Sequence, residues 1–83
     1  MRALVIDDSK AIRLILGQML KEMGFEVSSA GHGLEALERL KEIGKVDIAL
    51  VDWNMPEMNG FEFVIAVRKE EKYNDMRLMM VTT

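Results

Sequence analysis

Cysteine is absent from this sequence, and proline, tryptophan and tyrosine each occur once. Without cysteine the chain forms no disulfide and offers no thiolate to a metal such as zinc. The absence is also typical of a reducing cytoplasm, where we expect the protein to act. The apolar runs are far shorter than the roughly 20 residues of a membrane-spanning helix, so no membrane partner is expected.

A strong excess of one charge is also missing. The net charge is −3, with acidic and basic residues interspersed, and this balance does not favour nucleic acid as a partner. Half of the residues are apolar and 30% are charged, as in globular proteins. With 83 residues, we expect one small domain.

Short apolar runs alternate with segments of helical periodicity. The runs predict strands at 3–6, 25–30, 46–51 and 78–81. Ser9 is a good N-cap for the first helix, and Gly24 and Gly44 are typical of the ends of the first and second helices. The third helix is predicted to begin at Phe61 and to become solvated where its charges cluster, near Arg68.

The apolar spacing also predicts which side of each helix faces the core. In the first helix it selects Ile12, Ile15, Leu16, Met19, Leu20 and Met23. In the second it selects Leu34, Leu37, Leu40 and Ile43, whereas the third helix is expected only to begin with Phe61, Val64, Ile65 and Arg68. We therefore expect the methionines of the first helix, with Met79 and Met80, to be packing residues.

The predicted element order is β-α-β-α-β-α-β, which indicates an α/β fold with a parallel sheet. The second strand contains Ser28 and Ser29 and is typical of a sheet edge, whereas the others are apolar. The simplest strand order is 2-1-3-4. In that order the apolar fourth strand is also an edge, a position that proteins normally cover or pair.

Three acids stand where strands end. Asp7 and Asp8 follow the first strand and Asp52 follows the third. In a sheet ordered 2-1-3-4 these ends meet beside the switch point, where open α/β sheets bind ligands. Carboxylate oxygens suit a hard divalent cation such as Mg²⁺, and a carboxylate can also be a nucleophile that forms an aspartyl phosphate. Asp52 suits the nucleophilic role best.

Each acid also has an ordinary structural explanation. Asp7 and Asp8 favour the positive end of the first helix, and Asp52 can begin a turn before Asn54 and Pro56. Their predicted convergence at one point favours the functional interpretation.

Three segments, VIDDS, VDWNMPEMNG and LMMVTT, occur in this order. They resemble the receiver domain of bacterial two-component response regulators, and the single-domain chemotaxis regulators share the sequence Asp-Trp-Asn-Met-Pro. The resemblance covers the whole chain and implies a flavodoxin-like fold, which agrees with the strand order derived above.

By this resemblance Asp52 is the phospho-acceptor, and a histidine kinase is the phosphodonor. Mg²⁺ is held by Asp7, Asp8, Asp52 and the backbone carbonyl of Asn54. The resemblance also implies that Thr82 contacts the phosphoryl group and drives the switch. Thr83 lines access to the site, and Gly60 ends the acceptor loop. The implied protein is a signalling domain that assists its own phosphorylation and is not a turnover enzyme.

The family has five βα units, so residues 1–83 are interpreted as a partial receiver domain reaching the fourth strand. The fifth strand, the last two helices and the lysine that pairs with the phosphoryl group are not among these residues. We therefore expect impaired phosphorylation and switching. An alternative is a fragment without signalling activity that self-associates through its fourth strand and the uncovered sheet face. An aspartate-nucleophile phosphatase fits less well, because Asn54 stands where a second acid is usual.

Overall fold

The computed structural model describes residues 1–53, 55 and 57–81. Its strands are β1 (Arg2–Ile6), β2 (Glu26–Ala30), β3 (Ile48–Asp52) and β4 (Arg77–Val81). Its helices are α1 (Lys10–Glu22), α2 (Gly33–Ile43) and α3 (Gly60–Arg68), and a short 3₁₀ turn spans Glu71–Tyr73. None of the helices in this described part is long and apolar enough to cross a membrane.

The four strands form one parallel sheet in the order β2-β1-β3-β4, which confirms the predicted topology. At the carboxyl end of the sheet, Ile6 of β1 lies opposite Ala30 of β2 and Val51 of β3. Asp52 is the last residue of β3 and lies opposite Val81 of β4. The register therefore places the ends of β1 and β3 side by side.

Local sequence signals set the helix ends. The Ser9 side chain accepts a hydrogen bond from the Ile12 N–H at 3.3 Å and so caps α1, as predicted. Gly24 and Gly44 have φ of 97° and 79°, the left-handed region that glycine adopts without steric cost. Asn59 caps α3 in a capping box, in which its side chain and that of Glu62 each accept a backbone N–H.

The two faces of the sheet are covered unequally. Leu4 and Ile6 of β1 belong to a large core cluster together with residues of α2 and α3. The alternate residues Ala3 and Val5 belong to a small cluster in which Leu20 of α1 is the only other fully buried member among the described residues. Strand side chains alternate between faces, so α2 and α3 cover one face and α1 the other.

The buried side of α3 could not be predicted from its apolar residues. Phe63 and Val67 are fully buried, whereas Phe61 and Ile65 are 55% and 43% exposed. The apolar residues of this helix occur on more than one side, so their spacing did not single out the buried one. Similarly, Leu34 of α2 is 45% exposed.

The predicted burial of several methionines is also wrong. Met19, Met23 and Met79 are more than half exposed, as is Ile15. Met80 does pack against the large core cluster. The exposed set lies on α1 or on the edge strand, where few other elements are present to cover it.

The charged end of α3 has a structural role that its pattern did not predict. The guanidinium of Arg68 donates to the carbonyl oxygens of Tyr73 at 2.9 Å, Asn74 at 3.1 Å and Met76 at 2.7 Å. These bonds hold the 3₁₀ turn and the start of β4 against the end of α3. Arg68 is therefore a brace and not only a solvated charge.

Candidate functional site

The three acids that the sequence predicts to converge lie together at the carboxyl end of the sheet. Asp7 and Asp8 directly follow β1, and Asp52 is the last residue of the neighbouring strand β3. Carboxylate oxygens of the three lie within 4.8 Å of one another. Asp7 and Asp52 are only 3% and 5% exposed, whereas Asp8 is exposed. This placement joins two buried negative groups to one that solvent reaches.

Asp7 is held by its backbone as well as by its side chain. Its N–H donates to the Ala30 carbonyl at 3.1 Å, which continues the pairing of β1 with β2. Its carboxylate accepts the Ser9 N–H at 2.8 Å. The Asp7 carboxylate is therefore oriented by the same residue that caps α1.

Arg13 is a residue of this region that sequence reasoning missed. Its guanidinium donates to the Asp7 carbonyl oxygen at 2.6 Å. It also lies near the β2–α2 connection, 3.4 Å from where a Cβ on Gly31 would stand. The feature of the sequence that could have indicated Arg13 is its position in the first turn of α1, just after Asp7, Asp8 and Ser9. Arg13 therefore ties the end of β1 to the start of α1.

The loop after Asp52 returns close to the strand at Gly60. The Gly60 N–H donates to the Trp53 carbonyl at 3.1 Å. A Cβ at this position would lie 2.5 Å from the Asp52 carbonyl oxygen and 2.6 Å from the Met80 side chain. Only glycine allows α3 to begin this close to β3, which gives a physical reason for the glycine that the resemblance implied.

The same loop contacts the beginning of α2. Met58 lies over Gly33, where a Cβ would be 2.8 Å from the Met58 side chain. Glu57, whose φ is 65°, places a carboxylate oxygen 3.9 Å from Nδ1 of His32. Nδ1 also accepts the Glu35 N–H at 3.2 Å. His32 is thus the N-cap of α2.

Trp53 follows Asp52 and is 49% exposed. Its ring lies 6.1 Å from that of Phe61 at an angle of 49°. This ring contact joins the loop after β3 to the start of α3. The fluorescence of Trp53 should therefore report changes in this loop.

The donor set consists of carboxylate oxygens with a formal charge of −3 at neutral pH. Such a group is repulsive alone and suits a hard divalent cation, above all Mg²⁺, which prefers one or two carboxylates with water and phosphate oxygens. Within the described ranges, this is the one group of three or more acidic, histidine or cysteine side chains placed to hold a metal. Asn54, Thr82 and Thr83, also assigned from the resemblance, lie outside the described residues.

A parallel α/β sheet in the order 2-1-3-4, with carboxylates at the switch point, defines a flavodoxin-like domain with an acidic ligand site. The family profile of the response regulator receiver domain matches residues 3–83. The chain belongs to this family, whose members are signalling domains of two-component systems.

Two curated relatives place the chain further. It is 48% identical over 84 aligned positions to the chemotaxis protein CheY homologue of Campylobacter jejuni, covering all of this chain and 65% of that protein. It is 43% identical over 81 positions to the sensor histidine kinase CheAY of Helicobacter pylori, covering 96% of this chain and 10% of that protein. The chain thus spans slightly less than two thirds of the CheY homologue that it matches.

The fold is shared with solved receiver structures. The response regulator TrrA of Thermotoga maritima, crystallised with Mg²⁺ and a beryllium fluoride group, superposes with a TM-score of 0.87 at 36% identity. That match covers 98% of this chain and 68% of TrrA. The fold is thus shared with a receiver that was solved with Mg²⁺, the metal that suits the acidic site of this chain.

Proposed function

We propose that this chain is the acceptor part of a cytoplasmic response regulator receiver and takes a phosphoryl group on Asp52 from a histidine kinase. The observation that carries the proposal is the approach of the Asp7, Asp8 and Asp52 carboxylates to within 4.8 Å of one another at the carboxyl end of the sheet. The CheY homologue and the receiver-containing kinase among the relatives support a role in chemotaxis signalling.

The proposed step is a phosphoryl transfer. A carboxylate oxygen of Asp52 attacks the phosphorus of a phosphohistidine, a P–O bond forms and the P–N bond breaks. The leaving imidazole keeps the bonding pair and takes up a proton, while Asp52 becomes an acyl phosphate. Positioning contributes most to such transfers, and here Asp52 is the last residue of β3 with Gly60 close to its backbone.

A divalent cation would be held by Asp7, Asp8 and Asp52, with the Asn54 carbonyl added by resemblance. When bound, Mg²⁺ neutralises negative charge on the phosphoryl oxygens. Asp7 is buried and oriented by the Ser9 N–H, which suits a ligand that must not move. Thr82, again by resemblance, contacts the transferred group.

The metal site is tested by titrating Mg²⁺ into the protein and following Trp53 fluorescence. We expect a saturable change in the wild type and a greatly weakened one in Asp52→Asn. Asp75→Asn is the matched control, because Asp75 is an exposed acid that pairs with Lys45 far along the chain from the cluster. An unchanged response in Asp52→Asn, or an equal loss in Asp75→Asn, contradicts the proposed ligand set.

The acceptor is tested by intact-mass analysis after treatment with a small phosphodonor and Mg²⁺. The wild type should gain the mass of one phosphoryl group, and Asp52→Asn should gain none. Modification of Asp52→Asn to the same extent as the wild type would assign the acceptor elsewhere.

We propose further that a polypeptide of these 83 residues alone is phosphorylated slowly and switches poorly. The lysine that the family places against the phosphoryl group is not among them. A time course against a polypeptide with the full length of the relatives measures the difference. Equal rates contradict this part of the proposal.

A second candidate function is self-association of the 83-residue polypeptide, favoured by its exposed apolar surface. In the described part of the chain, β4 has a neighbour on one side only, and Met79 is 54% exposed. Ile15 and Met19 of α1 are exposed to a similar degree. Edge pairing or burial of this face in a second copy would remove that surface from water. A monomeric mass by light scattering at high micromolar concentration excludes it.

A further inference from the structure

A lysine-lined groove lies between the end of α2 and the end of α3. It consists of two adjoining open clefts of about 350 and 330 Å³, which share Lys41 and Tyr73. Lys45 and Lys72 complete the rim of the first cleft, and Lys69 stands on the rim of the second. We call this surface the lysine groove; it is lined by these five residues together with Leu37, Leu40, Gly44, Ala66 and Glu70.

The charge of the groove is opposite to that of the chain. Four lysines and one acid, Glu70, line it, whereas the whole chain carries −3. Lys72 lies 3.8 Å from Glu70, and Lys45 lies 3.3 Å from Asp75. Both pairs are largely exposed, and exposed ion pairs contribute little, so an incoming anion can replace them.

The position of the lysines is only partly explained by helix stability. Lys41 lies in the last turn of α2, and Lys69 is the C-cap of α3. At these positions a positive charge interacts favourably with the negative end of the helix dipole. Lys45 follows the end of α2, and Lys72 belongs to the 3₁₀ turn. These two side chains return to the groove from outside both helices.

The floor of the groove is apolar. Leu40 and Tyr73 are 1% and 3% exposed, and Leu37 packs against the same core. The Lys72 ammonium lies 5.2 Å from the centre of the Tyr73 ring. All four lysines are exposed, so their long side chains are not held in one position that would orient a small molecule. Flexible cations above an apolar floor suit a protein segment better.

We propose that the lysine groove docks an acidic segment of a partner protein, in which carboxylates flank an apolar side chain. The carboxylates pair with the lysines, and the apolar side chain covers Leu37 and Ala66, which are partly exposed in the groove. The groove is built from elements remote from the acid cluster at the carboxyl end of the sheet. Docking is thus independent of phosphoryl transfer to Asp52, and complementary charge favours rapid, salt-sensitive association.

The test uses fluorescence anisotropy with a labelled peptide, Glu-Asp-Leu-Glu-Glu-Phe-Asp-Glu, and the full 83-residue chain. We expect saturable binding that weakens as salt rises, and a loss of at least about tenfold in affinity for Lys41→Glu. Lys21→Glu is the matched control, because Lys21 is an exposed lysine of α1 and its reversal changes the net charge equally. It should bind nearly as well as the wild type.

Two further measurements separate the groove from a general attraction of anions. A peptide with serine in place of its leucine and phenylalanine should bind at least several-fold more weakly, and Lys41→Arg should retain binding. Circular dichroism confirms that each variant is folded. Absent binding, an equal loss in Lys21→Glu, or equal binding of a single-stranded oligonucleotide of the same charge would each overturn the proposal.

Discussion

The two faces of the sheet bury very different amounts of side chain, although both are built on the same apolar strands. On the α2–α3 face, Phe63, Leu4, Ile6 and Leu40 are at most 1% exposed. On the α1 face the fully buried group is Ala3, Val5 and Leu20 among the described residues. Four strands about 4.8 Å apart span about 14 Å, whereas one helix is about 10 Å across. A single helix therefore leaves β4 and part of β3 uncovered.

The difference shows that an apolar pattern identifies side chains that can be buried. Whether they are buried depends on which other elements cover them. Ile48 and Leu50 of β3 are only partly buried beside α1, whereas their neighbours Ala49 and Val51 on the other face are fully buried. Shortening a buried side chain should therefore lower the free energy of unfolding more on the α2–α3 face than on the α1 face.

The largest effect is expected for Phe63→Ala, which removes the largest fully buried side chain of the α2–α3 face. The lost contacts and the remaining cavity should lower the free energy of unfolding by about 3–5 kcal/mol. Phe61→Ala is the control, since Phe61 is 55% exposed and only two positions away. Urea denaturation measures both, and similar losses would show that the two sides of α3 do not differ.

A smaller effect is expected for Leu20→Ala on the α1 face. Leu20 is 7% exposed but has fewer buried neighbours, so we expect a loss of about 2–3 kcal/mol. Leu14→Ala, at a leucine that is 65% exposed on the same helix, should change stability by less than about 0.5 kcal/mol. A Leu20→Ala loss as large as that of Phe63→Ala would contradict the unequal faces.

Gly60→Ala tests the close approach of α3 to β3. Its Cβ meets the Asp52 backbone at 2.5 Å, so the helix start must shift, at a cost of about 1–3 kcal/mol. The Trp53 response to Mg²⁺ should weaken as the acceptor moves. In Gly17→Ala the new Cβ lies 3.6 Å from Val27, an ordinary contact, and gains of up to about 1 kcal/mol are expected. Thermal denaturation should therefore give opposite signs for the two variants.

The smallest effect on stability is expected for Met19→Gln, at a side chain that is 55% exposed on α1. The change should stay within about 0.5 kcal/mol. If the 83-residue polypeptide self-associates through this face, the same substitution should shift its sedimentation toward the monomer. A large loss of stability would mean that Met19 is packed after all.

Local signals allowed much of the fold to be predicted. Ser9, Gly24 and Gly44 mark helix ends through interactions with their own neighbours, so their roles follow from short segments. The strand order followed from composition, because Ser28 and Ser29 mark β2 as an edge strand whereas the other strands are apolar. The exposed sides of α1 and α3 could not be predicted in this way, since exposure depends on which other elements are present.

The acidic site shows the same division. Asp7, Asp8 and Asp52 could be predicted to meet, because the carboxyl ends of parallel strands lie at the same edge of the sheet and β1 is the direct neighbour of β3. Arg13 could not be assigned, because its bond to the Asp7 carbonyl depends on the packing angle of α1. Asn54 and Thr82 stay predictions from the family pattern.

The sequence by itself determined the order of the elements, the ends of the helices and the three acids that share a sheet edge. These depend on periodicity, on capping and on the geometry of parallel strands. Only the tertiary structure decided that Gly60 must lack a side chain and that Arg68 braces the 3₁₀ turn. It also brought the lysines of two distant segments to one groove. The physical reason is that these contacts join residues whose distance is set by packing and not by the local chain.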